Sequence, residues 1–140
     1  MDAAGHKNSF SPTDTEYFRA MENTDRLIQR VLEAIDSRPN RKDEEWLVAV
    51  TTDHGGGNGD FNGEDDGHGE LNKYCRTIWL VMQGDGLKEG VEIPPDCETT
   101  VTHMDVFPSL MEYLRIPIKD EWDLDGKSRL NWAEPVTEKE

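Results

Sequence analysis

At 140 residues the chain has room for one domain. Thirty acidic residues against fifteen basic ones give a formal charge of −15, which argues against a nucleic-acid partner, because phosphate backbones are bound by a basic face. No run of about 18 apolar residues is present to span a membrane.

Met1-Asp2-Ala3-Ala4-Gly5-His6-Lys7 has no apolar stretch of the kind a signal peptide needs, so none is expected and the compartment stays unassigned. Ser11-Pro12-Thr13 reads as a loop. Pro12 or Thr13 starts a helix over 14–36, with Asp14 and Glu16 facing the positive dipole end in the first turn. Tyr17, Met21, Thr24, Ile28, Val31 and Ile35 fall at steps of three and four and form one apolar face. Ser37-Arg38-Pro39-Asn40 ends it.

Trp46 to Thr52 is a continuous apolar and β-branched run, suited to a central parallel strand buried on both faces. Asp53-His54 follows at its carboxyl end, where open α/β sheets place ligands. Residues 55–74 are rich in Gly, Asn and Asp and read as a loop. Thr77–Met82 is the next strand, expected to pair with the first in parallel. Val91-Glu92-Ile93 reads as a short edge strand. Thr102 caps a helix to about Leu114, with Val106, Leu110 and Leu114 on one face. Beyond Ile116 the chain reads as irregular, and residues 131–140 as a disordered tail. The pattern is α/β, a partial sheet with flanking helices that should cover its faces. Two strands and two helices make a thin core for this length. One flank of the sheet should lack a neighbour, making the chain marginally stable or prone to self-association through that edge. Cys75 and Cys97 are too few for a disulfide framework; a single bridge and two thiols both fit.

Three pieces carry chemistry: Asp2 to His6, Asp53-His54-Gly55-Gly56, and Gly67-His68-Gly69. Three imidazoles and two carboxylates suit zinc, manganese or iron without a thiolate. Five ligands exceed one tetrahedral site and suggest two metals close together, an arrangement that typically clamps a phosphoryl group and its nucleophile. The acidity of the chain suits an open metal site, although most of it reads as a solvated surface. Each piece also has a plainer reading. Asp2 and His6 read equally as a solvated pair, Asp53 as a turn cap, His54 as packing under a Gly-rich loop, and His68 as an exposed loop histidine. His103 reads as a capping or packing residue.

The order and spacing resemble the alkaline phosphatase superfamily, in particular its branch of type I phosphodiesterases and nucleotide pyrophosphatases. Its D-x-x-G-H piece before a long helix, D-H-G after an apolar strand and H-G before another strand all have counterparts here. Asp105-Val106-Phe107-Pro108-Ser109-Leu110 and Trp122-Asp123-Leu124-Asp125-Gly126-Lys127-Ser128 resemble its late helix and the stretch after it. The resemblance covers residues 2 to about 130. It implies an alkaline-phosphatase-like sheet over 1–130, with Asp2, His6 and His68 on one metal and Asp53 and His54 on the second. Zinc is the metal implied, with manganese as the alternative.

Family members start with a strand ending in a metal-binding Asp, followed by a Thr or Ser nucleophile. No residue here matches either, so no catalytic residue is assigned, and no cofactor site other than the metals. The resemblance thus implies the C-terminal segment of a metal-dependent phosphoric-ester hydrolase, inactive alone, whose complete form would take a small-molecule phosphate ester, with sulfate esters left open as substrates. A non-catalytic metal-binding or partner-binding remnant is the alternative. A third reading is a calcium-binding module, because Asn58, Asp60, Asn62 and Gly63 match the first half of an EF-hand loop; Gly69 stands where that loop needs Glu.

Overall fold

Residues 2–7, 10–11, 13–57, 67–93 and 100–131 are described by a computed structural model. They divide into two units, Met1–Glu44 with Thr52–Ile78, and Glu45–Thr51 with Trp79–Glu140. The half EF-hand loop, Cys97 and the tail from 132 onward lie outside the described residues.

In the first unit a six-residue helix, α1 (Asp2–Lys7), precedes the 22-residue α2 (Thr15–Asp36). Asp14 does not belong to the first turn as expected. It is the N-cap, and its carboxylate accepts the Tyr17 N–H at 2.8 Å. A short side chain one position before the helix satisfies an orphan N–H that would otherwise face water. Lys7 reaches Glu16 at 2.7 Å and links the two helices. The inward stripe of α2 runs through Tyr17, Ala20, Met21, Thr24, Ile28, Leu32 and Ile35, all half-buried. Leu32 replaces the expected Val31, which is 56% exposed, because 3.6 residues per turn carries the stripe one position on over its length. A four-residue helix, α3 (Lys73–Arg76), is capped by the Asn72 carboxamide, which accepts the Cys75 N–H at 2.9 Å.

In the second unit β1 (Leu47–Thr51) and β2 (Leu80–Gly84) form a two-stranded sheet. Their pairing is antiparallel, with Leu47 opposite Gly84 and Thr51 opposite Leu80, and this overturns the expected parallel arrangement. A parallel pair needs a crossover that packs on the sheet, usually a long helix. The described part of the connection holds only α3. Side-chain exposure along β2 alternates, as in an antiparallel sheet with one wetted face, and β1 is half-buried rather than enclosed on both sides. Residues 91–93 form no strand. Val91 is exposed, and the two prolines that follow cannot donate to a ladder.

Two short bonds close the ends of this sheet. The Trp46 N–H donates to the Asp85 carboxylate at 2.8 Å, and the Thr51 hydroxyl donates to the Trp79 carbonyl at 2.7 Å. Helix α4 (Val106–Tyr113) follows a single 3-10 turn from His103. Its buried face is Asp105, Ser109 and Tyr113, at steps of four, with Pro108 beside them. Leu114, expected on the inner face, is 62% exposed, and His103 is also exposed. The Tyr113 hydroxyl lies 2.6 Å from the Trp46 carbonyl and so fastens α4 to the start of β1. Gly84 is needed there, because a Cβ would stand 2.9 Å from that carbonyl oxygen and 3.2 Å from the Tyr113 ring. Among the described residues the buried apolar side chains are few, Cys75 in one unit and Tyr113 with Pro108 in the other. No helix among them is long and apolar enough to cross a membrane.

Candidate functional site

His6, His54 and His68 come from three distant parts of the chain and meet in the first unit. The His54 and His68 rings stack at 4.0 Å between centroids with 17° between planes, and His6 lies 4.9 Å from His68. The contact is built by the backbone around α3. Gly57 donates its N–H to the Gly67 carbonyl at 3.2 Å, which pinches the two ends of the loop together. The Gly57 carbonyl accepts from the Asn72 carboxamide at 3.1 Å. The buried Cys75 thiol lies 3.4 Å from that oxygen and 3.6 Å from the Gly67 oxygen. Gly55 donates to the Cys75 carbonyl at 2.9 Å, and its missing side chain matters, since a Cβ would overlap the Tyr74 carbonyl oxygen. His54 and His68 therefore lie on two stretches pinned to one short helix.

Asp53 and His54 converge although they are neighbours, because the strand has ended at Thr51 and the chain turns. The Asp53 carboxylate lies 3.4 Å from His54 Nε2 and also accepts the His54 N–H at 3.1 Å. His54 Nδ1 lies 2.6 Å from the Gly55 carbonyl oxygen, which only accepts, so Nδ1 carries a proton and donates it there. In the neutral ring Nε2 then offers a lone pair toward a carboxylate. A proton or a cation between them satisfies both groups. Fixing one ring nitrogen by a backbone carbonyl is the usual way a protein orients a histidine ligand.

His6 sits on α1 and is exposed; Asp2 opens the same helix. The donor chemistry fits a divalent metal. The observed ring orientations are those of packing, however, and among the described residues no three His, Cys, Asp or Glu side chains surround a common point. Three contributors were not anticipated from sequence. Asn72 and Cys75 close the loop neck, and Phe10 packs on His6. Asn72 carries a readable signal, a cap residue before a short helix. Cys75 and Phe10 carry none.

A sulfatase family model matches residues 3–116. The chain belongs to the sulfatase family. That places it among hydrolases of the alkaline phosphatase superfamily, as its motifs implied, but does not assign it to the branch of type I phosphodiesterases and nucleotide pyrophosphatases that they resemble. The matched sulfatase segment contains His6, Asp53, His54 and His68; Asp2 precedes it by one residue, and the Trp122–Ser128 stretch follows it. No curated protein and no solved structure matches the chain. Members of the sulfatase family are generally metal-dependent.

Proposed function

We propose that this chain is the metal-binding, C-terminal portion of a phosphoric-ester hydrolase of the sulfatase family. The observation that carries the reading is the meeting of His6, His54 and His68. Asp2, His6 and His68 would hold one divalent ion and Asp53 with His54 the other. Zinc is the first candidate and manganese the second. Histidine χ2 is a broad torsion, about which the His6 and His68 rings would turn their nitrogens inward, while His54 keeps Nδ1 on the Gly55 carbonyl and Nε2 toward Asp53. When bound, such ions stabilise charge developing on a transferred phosphoryl group. A doubly charged phosphate monoester would gain more from two divalent cations than a singly charged sulfate ester or phosphodiester, so among these substrates the two-ion reading favours the phosphate monoester. The residues here bind and orient; none occupies the place of a nucleophile. Among the described residues the sheet has two strands, and a pair of strands is marginal in water, so its edges offer a route to self-association.

Metal content after reconstitution near neutral pH tests this reading. About one or two zinc ions per chain are expected, with loss in His54→Ala and in His68→Ala. Protein that retains neither zinc nor manganese would sink it. The isolated chain should hydrolyse aryl phosphates and aryl sulfates no faster than metal ions in buffer. Saturable turnover that vanishes in His54→Ala would show that the chain carries its own nucleophile. Sedimentation over a range of concentrations reads the self-association; a strict monomer would exclude it.

A further inference from the structure

We propose that Phe10 is the positioning residue of the histidine cluster, a wedge that sets where His6 stands relative to the His54–Gly57 segment. Its ring meets His6 edge-on, with centroids 5.4 Å apart at 70°, and meets Tyr17 of α2 at 5.9 Å and 74°. A Cβ on Gly5 or on Gly56 would land on the same Cδ1–Cε1 edge of this ring. Gly5 precedes His6 on α1, and Gly56 lies two residues beyond His54. One aromatic edge therefore touches both backbones that carry the histidines, at the two places where only a hydrogen atom fits.

Two features of the local sequence are hard to explain otherwise. Gly5 lies inside a helix, where alanine is ordinarily preferred because glycine loses more conformational freedom. The ring occupies the space that an alanine methyl would take. Phe10 itself has φ of 51°, the left-handed region that bulky residues avoid and that glycine commonly fills after helices. Its N–H is bonded to the Gly5 carbonyl at 2.9 Å, which holds the turn closed. An aromatic residue held in a strained conformation at the end of the ligand-bearing helix is over-determined by its packing. Replacing it with glycine would relax the backbone, so a purely structural demand for this turn would not select phenylalanine.

The consequence for metal rests on the ligand reading given under the proposed function; the packing role does not. The test uses the full chain and three variants, Phe10→Gly, Gly56→Ala and the double variant. In metal-free protein, cross-relaxation between the ring protons of His6 and His68 is read by NMR, since neither histidine in that pair is altered. Zinc affinity is read separately by competition with a chromogenic chelator. Wild type should show the His6–His68 cross-peaks, and both single variants should lose them. Each single variant should bind zinc about 10- to 100-fold more weakly, the range seen when a supporting group of a ligand is removed. Gly56→Ala should add nothing in the Phe10→Gly background, because its methyl then meets no ring. Cross-peaks that persist in Phe10→Gly, or fully additive effects in the double variant, would overturn the proposal. If wild type holds no zinc yet the cross-peaks follow Phe10, the ligand reading fails and the wedge stands. If zinc binds equally well to wild type and Phe10→Gly, the ligand reading stands and Phe10 does not position the ligands, whichever way the cross-peaks fall; the packing role is then decided by the cross-peaks alone.

Discussion

Asp105 and Arg129 form a buried ion pair, with Nε 3.0 Å from Oδ2 and side chains only 4% and 11% exposed. The same carboxylate accepts the backbone N–H groups of Lys127 and Thr102, each at 2.9 Å. Ser109, fully buried, accepts the Arg129 N–H at 3.0 Å and donates to the Asp105 carbonyl at 2.7 Å. The D-V-F-P-S-L and D-G-K-S pieces of the sequence thus meet through one acid. Gly126 stands so close to Met104 that a Cβ would overlap its carbonyl oxygen, which lets the Lys127 N–H reach the carboxylate. Burial pushes the Asp105 carboxyl upward. Its two backbone donors and the Arg129 guanidinium outweigh that and hold it below the usual carboxylate range.

The depressed acid makes stability depend on pH with a definite sign. Its contribution is full above the usual carboxylate range and is lost as pH falls from that range through the lower value in the folded state. Melting temperature should decline over that acid interval in wild type, and the decline should be shallower in Asp105→Asn. Asp105→Ala, which strands the Arg129 charge, should cost about 3 kcal/mol near neutral pH, measured by urea denaturation. An unchanged midpoint would show that water replaces the carboxylate freely.

Tyr113→Phe keeps the ring in place and removes only the hydroxyl that meets the Trp46 and Asp85 carbonyls. A loss of about 1 kcal/mol is expected, the net worth of one such bond. Hydrogen exchange should report faster opening at the Asp85 N–H, whose acceptor is the Trp46 carbonyl.

Asn72→Ala removes both the cap of α3 and the bond to the Gly57 carbonyl. About 1 kcal/mol of stability should go with the cap. Cys75, only 4% exposed, should then react faster with a thiol reagent, measured in a Cys97→Ser background. Equal labelling rates would mean that the loop neck is held without Asn72.

Zinc should raise the melting temperature if it binds only the folded chain. At a free concentration about 100 times its dissociation constant the gain is about 2.7 kcal/mol by mass action. His68→Ala should reduce the shift by removing a ligand of one of the two ions, while leaving the metal-free melting temperature within a few degrees, since His68 lies on a loop and is only half-buried. A shift of equal size in both proteins would place the ion elsewhere.

Periodicity was enough to mark α2, and its end at Asp36 follows from the breakers after it. The apolar runs marked both strands to within a few residues. The order of the D-x-x-G-H, D-H-G and H-G pieces singles out His6, Asp53, His54 and His68, since each histidine beside glycine taken alone reads as well as an ordinary loop or packing residue. Local signals stop there. Strand direction depends on what the intervening chain packs against, and 52–79 holds no long crossover helix among its described residues, so the pair became antiparallel. The stacking of His54 on His68 depends on a bond between Gly57 and Gly67 and on the donors of Asn72 and Cys75, none of which has a sequence period. Motif order alone thus reached the superfamily of this protein, and residue type alone named the side chains proposed as donors. Tertiary structure alone decided which donors touch, because contacts between distant residues are set by packing and by backbone hydrogen bonds that any residue type can make.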